Sequence, residues 1–127
     1  MKAPKKALLV YQYPKCSTCK NALKYLEKKK RAAEIRHIVE TPPTRAELKK
    51  MLEHLDGNLR KMFNTSGLLY KELGLAKKLE KLSENEALDL LSKHGMLVKR
   101  PFVLSENRGW VGFKEKDWDQ ILALSPS

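Results

Sequence analysis

The chain predicts an α/β fold: a mixed four-stranded sheet flanked by helices, with an all-helical insertion between the second and third strands. Three observations predict it. Two short strand-like runs, the apolar residues 7–11 and residues 35–39, bracket a segment of helical period, which is the order of a βαβ unit. A stretch of about fifty residues with only helical spacing follows. The last third returns to strand-like runs, residues 98–104 and 110–113, and closes on one more helical stripe.

The first run, Ala-Leu-Leu-Val-Tyr, is continuous and apolar and is ended by Pro14, as expected of a buried strand that feeds a loop. Cys19, Ala22, Leu23 and Leu26 then fall at i, i+3, i+4 and i+7, a single apolar stripe, with Lys20, Asn21, Lys24 and Glu27 facing away. Lys28-Lys29-Lys30-Arg31 closes this helix, where cations complement the negative end of the dipole. Residues 35–39 form the second strand, and a right-handed crossover sets it parallel to the first. Thr41-Pro42-Pro43 breaks the chain. Thr44-Arg45-Ala46-Glu47 is a capping-box pattern that starts a helix with Leu48, Met51, Leu52 and Leu55 on one face, stopped at Gly57. Residues 59–82 read as short helical pieces, with Leu59, Met62 and Phe63 in one and Leu69, Tyr70 and Leu73 in the next. Ser83-Glu84-Asn85-Glu86 supplies a second capping box before Ala87, Leu88 and Leu91, and Gly95 is the expected C-terminal cap. The insertion thus covers residues 44–96. Strand-like runs at 98–104 and 110–113, joined by Ser105-Glu106-Asn107-Arg108-Gly109, predict an antiparallel hairpin, and Trp118, Ile121 and Leu122 place a final helix against the sheet. This order is that of a thioredoxin-like fold carrying an all-helical insert, in one domain over residues 1–127.

The net charge of +11 raises the question of nucleic acid, but the lysines are spread over several helix faces and no aromatic residues interleave with the basic runs. Direct nucleic-acid binding is therefore not expected, whereas attraction to acidic partners or anionic substrates is. The basic start lacks a signal-like apolar stretch and no segment reaches membrane-spanning length, so the expected location is the cytoplasm.

The two cysteines of the chain stand together as Cys16-Ser17-Thr18-Cys19, at the junction between the first strand and the first helix. Cys16 falls at or just before the first helical turn, where unpaired N–H groups and the positive dipole end favour a thiolate, and Lys15 and Lys20 add positive charge. Cys19 lies on the apolar stripe and should be less exposed. In an oxidoreductase, Cys16 would attack and Cys19 would resolve the mixed disulfide. Other readings remain open on spacing alone: a structural disulfide, half of a zinc site, or two inert buried thiols. Zinc would need a second ligand pair, and His37, His54 and His94 are scattered, so no metal is expected. A c-type haem would need histidine after Cys19, where Lys20 stands.

Several separated segments together resemble the arsenate reductase (ArsC) and Spx family, a thioredoxin-fold group. Tyr13-Pro14-Lys15-Cys16-Ser17-Thr18-Cys19 is similar to its active-site loop, Thr41-Pro42-Pro43-Thr44 to its Pro-Pro junction, and Arg100-Pro101 to the Arg-Pro before its third strand. Asn64-Thr65-Ser66-Gly67 with Tyr70, Leu73 and Leu75 is similar to an uncharacterised arsenate-reductase-like branch. The resemblance implies that Cys16 is the nucleophile, that Arg100 binds an oxyanion, and that Pro101 follows a cis peptide bond. Lys15, Ser17 and Thr18 would complete the anion site around the helix N-terminus, where backbone donors and a planar guanidinium can share one ion.

The departures from the family are as informative. Asn64 and Phe113 stand where arsenate reductases of this family carry further pocket arginines, with Arg60 and Lys114 nearby in sequence. The C-x-x-C pair is closer to Spx, in which it is a redox switch. The expectation is a thiol-disulfide oxidoreductase of the arsenate-reductase type, acting on a small oxyanion or a disulfide. It would bind no cofactor and would be reset by glutathione and glutaredoxin or by thioredoxin. The alternative is an Spx-like redox-sensing regulator that binds the α subunit of RNA polymerase. Spx-type regulators carry a basic segment beyond the last helix, and the ending Ser125-Pro126-Ser127 favours the first expectation.

Overall fold

The computed structural model describes residues 8–124, so Ala7, the expected start of the first strand, and residues 125–127 lie outside the described residues. Four strands form one mixed sheet: β1 (Leu8–Gln12), β2 (Ala33–His37), β3 (Phe102–Leu104) and β4 (Gly109–Val111), in the order β2-β1-β3-β4. β1 runs parallel to β2 and antiparallel to β3, and β3 pairs antiparallel with β4. Helix α1 (Ser17–Lys28) connects β1 to β2, and α6 (Glu115–Leu124) follows β4. The helical insertion consists of α2 (Arg45–His54), α3 (Leu68–Glu72), α4 (Leu75–Lys78) and α5 (Glu84–Lys93), with 3₁₀ segments after α2 (Leu59–Met62), α4 (Leu79–Lys81) and α5 (Gly95–Leu97). The thioredoxin-like order expected from the sequence is the order observed.

β1 reads as an unbroken apolar run because both its faces are covered. Leu8 and Val10 point to one core with Ala22, Tyr25 and Leu26 of α1, Trp118 of α6, and Val103. Leu9 and Tyr11 point to the opposite core, where Leu48, Met51, Leu88 and Leu91 of the insertion meet Phe102 and Leu104. The period of two along β1 and β3 thus sorts residues between two helical layers. Among the described residues, no helix is long and apolar enough to cross a membrane.

Both capping boxes form. Thr44 Oγ1 accepts the Glu47 N–H at 3.1 Å, and Glu47 Oε1 accepts the Thr44 N–H at 3.0 Å; Ser83 and Glu86 repeat the pattern at 3.0 and 2.9 Å. Glu47 Oε1 also accepts from Tyr11 Oη at 2.6 Å, so the first box anchors α2 to β1. Thr44→Ala should lower stability by about 1 kcal/mol, the usual worth of such a cap, and urea unfolding should show a lower midpoint with an unchanged slope.

Three expected boundaries are corrected. β2 ends at His37 rather than residue 39: Ile38 and Val39 are apolar, but the ladder stops where β1 does, and Ile38 enters a turn that buries its side chain. β3 begins at Phe102 rather than residue 98, because Val98 bridges to Phe63 instead, and the Arg100–Pro101 peptide, which is cis, intervenes. β4 ends at Val111 because Gly112 turns the chain at φ +79°. Gly57, at φ +78°, does follow the end of α2, its N–H donating to the Leu52 carbonyl at 2.8 Å. Gly95, by contrast, is not a left-handed cap. α5 ends at Lys93 with His94 out of the helical region (φ −128°, ψ 87°), and Gly95 lies buried against the backbone of Ile38 and Val39.

Candidate active site

The loop after β1 is pinned by the Cys16 N–H, which donates to the Tyr13 carbonyl at 3.0 Å. Cys16 is the N-cap of α1, with extended backbone (φ −96°, ψ 118°), and its Sγ accepts the Cys19 N–H at 3.4 Å. Sulfur therefore fills the place that a serine or aspartate oxygen usually takes at a helix start. Cys16 is partly exposed, while Cys19, one turn on and facing the sheet, is fully buried. Their chemistry diverges accordingly. Partial burial pushes the Cys16 thiol up, but the Cys19 N–H, the Cys19 thiol and the Arg100 guanidinium pull the other way and prevail, leaving it below the usual thiol value. Burial pushes the Cys19 thiol up to about 12; a backbone hydrogen bond from Tyr13 opposes this, and the neighbouring Cys16 reinforces it.

Arg100 reaches Cys16 because β1 and β3 are neighbours, with Tyr11 opposite Phe102, so the end of β1 and the approach to β3 share one end of the sheet. The same end is tied to the insertion by the Asn64 N–H to the Leu97 carbonyl at 2.7 Å and the Lys99 N–H to the Met62 carbonyl at 2.8 Å. Those bonds align Lys61 and Asn64 with Lys99 and Arg100. Cys16 opens into a cleft of about 770 Å³, lined by these residues together with Thr18 and Lys114. Among the described residues, Lys61, Lys99, Arg100 and Lys114 supply four cations to its wall, against the single carboxylate of Asp117. Trp110, Phe113 and Trp118 form its apolar part, and Trp118 Nε1 donates to the Gly112 carbonyl at 3.0 Å.

The residues singled out in the sequence are distributed unevenly about this cleft. Cys16, Thr18, Arg100, Asn64, Phe113 and Lys114 line it. Lys15 and Ser17 are exposed next to Cys16 and are not part of the wall, and Arg60 turns away, its Nη1 donating to Tyr70 Oη at 3.2 Å. Lys61 and Lys99 were not anticipated; Lys99 stands next to Arg100 in sequence, the one signal that could have found it. Among the described residues, no histidine lines the cleft. His37 Nδ1 accepts the N–H groups of Val39 and Glu40, both at 3.2 Å, and His54 borders a separate hollow of about 320 Å³. Among the described residues, no group of three or more histidine, cysteine or acidic side chains is placed to hold a metal ion.

Comparison with known proteins agrees with this geometry. The ArsC family model matches residues 11–121. The chain is 45% identical over 114 residues to the uncharacterised protein YusI of Bacillus subtilis, covering 90% of this chain and 97% of YusI. It is 32% identical over 98 residues to an arsenate reductase of Escherichia coli, covering 77% of this chain and 68% of that one. It is also 26% identical over 119 residues to the global transcriptional regulator Spx of Streptococcus agalactiae, covering 94% and 83%. Among solved structures, an ArsC-family-related protein from Bacteroides fragilis superimposes with a TM-score of 0.85 at 42% identity, over 91% of this chain and 98% of the other. The chain belongs to the ArsC family.

Proposed function

We propose that this protein is a thiol-dependent reductase of anionic acceptors, with Cys16 as the attacking thiol, Cys19 as the resolving thiol and Arg100 as the anion-binding group. One observation carries the reading: the Cys16 sulfur sits at a helix N-terminus beside Arg100, faces a cationic cleft, and has a second, buried thiol behind it. The helix N-terminus and the Arg100 guanidinium hold the Cys16 thiol below its usual value and so favour the attacking thiolate, and the reading invokes no histidine base.

With a disulfide acceptor, the Cys16 thiolate displaces one thiolate and forms a mixed disulfide. Cys19 then loses its proton, attacks the Cys16 sulfur and expels the second thiolate. Two electrons have passed from the cysteine pair to the acceptor. With arsenate, the thiolate attacks arsenic and one oxygen leaves as water; attack by Cys19 on the Cys16 sulfur then releases arsenite and leaves the same Cys16–Cys19 disulfide. An external thiol, from glutathione with glutaredoxin or from thioredoxin, restores both cysteines. Formation of the mixed disulfide removes the charge on Cys16, and with it that part of the push that keeps Cys19 protonated.

A second reading has support of its own, because a relative named Spx aligns over most of both chains. Here the same cysteine pair would be a sensor, and the partner would be the α subunit of RNA polymerase. Thiol trapping in glutathione and dithiothreitol buffers tests what the two share: the pair should form a reversible disulfide with a midpoint of about −180 to −280 mV. Turnover of arsenate or of a glutathione mixed disulfide then favours the reductase, whereas redox-dependent capture of the polymerase α C-terminal domain without turnover favours the sensor. A pair that stays reduced in oxidising buffer removes Cys19 from either mechanism.

A further inference from the structure

Tyr13 meets the site at two points. Its carbonyl accepts the Cys16 N–H at 3.0 Å, and its ring lies against the Arg100 guanidinium, with Cζ 5.1 Å from the ring centroid. The ring is itself held in place. His37 stands edge-on to it, with centroids 5.7 Å apart at 89°, and the core of the helical insertion packs behind it. Arg100 has one further soft contact, Nη1 to Met96 Sδ at 3.8 Å. The ion pairs among the described residues are made by other arginines and lysines, and none involves Arg100.

That set of neighbours is unusual for a half-buried guanidinium, which ordinarily finds a carboxylate. A carboxylate would orient Arg100 but would also cancel the charge that Cys16 needs. An aromatic face and a thioether orient the group while leaving its charge and N–H donors for the sulfur. We propose that Tyr13 is a positioning residue whose ring holds Arg100 against the Cys16 sulfur without neutralising it, and so governs how readily Cys16 reacts. The inference rests on the reading of Cys16 as the attacking thiol.

The test is the rate of Cys16 alkylation by iodoacetamide across pH, followed by peptide mass spectrometry so that Cys19 does not contribute. Tyr13→Leu keeps apolar bulk and removes the ring face. It should slow the reaction below the ordinary thiol pKa by about three- to tenfold, the range a cation–π contact supports. Tyr13→Phe keeps the face and should stay within about twofold of the parent. Tyr13→Ala is a second truncation, with no branched side chain to misfit beneath Arg100, and should slow the reaction as Tyr13→Leu does. In an Arg100→Ala background, already slowed, adding Tyr13→Leu should change nothing further, since contacting residues that act through one another are non-additive. Equal slowing by Tyr13→Leu with and without Arg100, equal loss in Tyr13→Phe and Tyr13→Leu, or no slowing in either truncation would overturn the proposal. Alkylation needs no substrate, so absence of arsenate and disulfide turnover in the parent would overturn the reductase reading and leave this coupling standing.

Discussion

Gly95→Ala should lose more stability than alanine at any other glycine of the described residues, about 3 kcal/mol or more, seen as a fall in melting temperature of roughly 10 °C. A Cβ at this position would penetrate the Ile38 carbonyl oxygen and lie 2.7 Å from the Ile38 carbonyl carbon and 3.1 Å from the Val39 Cα. All three are backbone atoms, so no rotamer change relieves the overlap. The turn after β2 and the 3₁₀ turn Gly95–Leu97 must separate, and Ile38, Leu97 and Val98, all fully buried, would lose packing with them. Gly57→Ala is the matched control. There nothing lies within 4 Å of an added Cβ, and only the φ of +78° opposes it, so the loss should be about 1 kcal/mol. A Gly95→Ala loss no larger than that of Gly57→Ala would mean that the two segments part easily.

The same residue shows where sequence reasoning stops. A glycine just past an amphipathic stripe reads as a helix cap, and at Gly57 that logic succeeds because the requirement is local: a positive φ next to the last turn. At Gly95 the requirement is tertiary, set by the turn after β2 about sixty residues earlier in the chain, and nothing in the local pattern records it. The layers and their faces were legible because alternation along β1 and the stripe of α1 reflect burial on known periods. Both capping boxes were legible for a similar reason, being hydrogen bonds closed within four residues. Strand ends were less so: Ile38 and Val98 are apolar whether they lie in a ladder or in a buried turn. In the candidate site, the helix N-terminus at Cys16 could be read from spacing, while Arg100 could be associated with it only by family resemblance. Lys61 and Lys99 were indistinguishable from the other basic residues of a chain with 26 of them, because only the β1–β3 pairing and the bonds from Asn64 and Lys99 gather them around one cleft.

Cys16→Ser should abolish thiol-dependent reduction, by about 10³-fold or more, while leaving the fold as stable as before. The two halves of that expectation come from one atom. In the proposed reduction the Cys16 sulfur attacks as thiolate, a form its surroundings favour and a serine hydroxyl does not match. As the N-cap of α1 it only has to accept the Cys19 N–H, now made at 3.4 Å to sulfur, and serine is among the best residues for that task. The urea midpoint of Cys16→Ser should therefore equal or slightly exceed that of the parent, which separates lost chemistry from lost structure. The pH profile supplies the sign. Since the folded pKa of Cys16 is lowered, the parent's reaction rate should rise with pH through a midpoint below that of an ordinary thiol. In Arg100→Ala, removal of a group that favours the thiolate moves the midpoint upward, so the variant should be slowest relative to the parent at low pH and approach it as pH rises. A gap between Arg100→Ala and the parent that is constant across pH would show that Arg100 does not act on the Cys16 thiolate. A gap that closes with a disulfide acceptor at high pH but persists with arsenate would assign it a second task, holding the oxyanion.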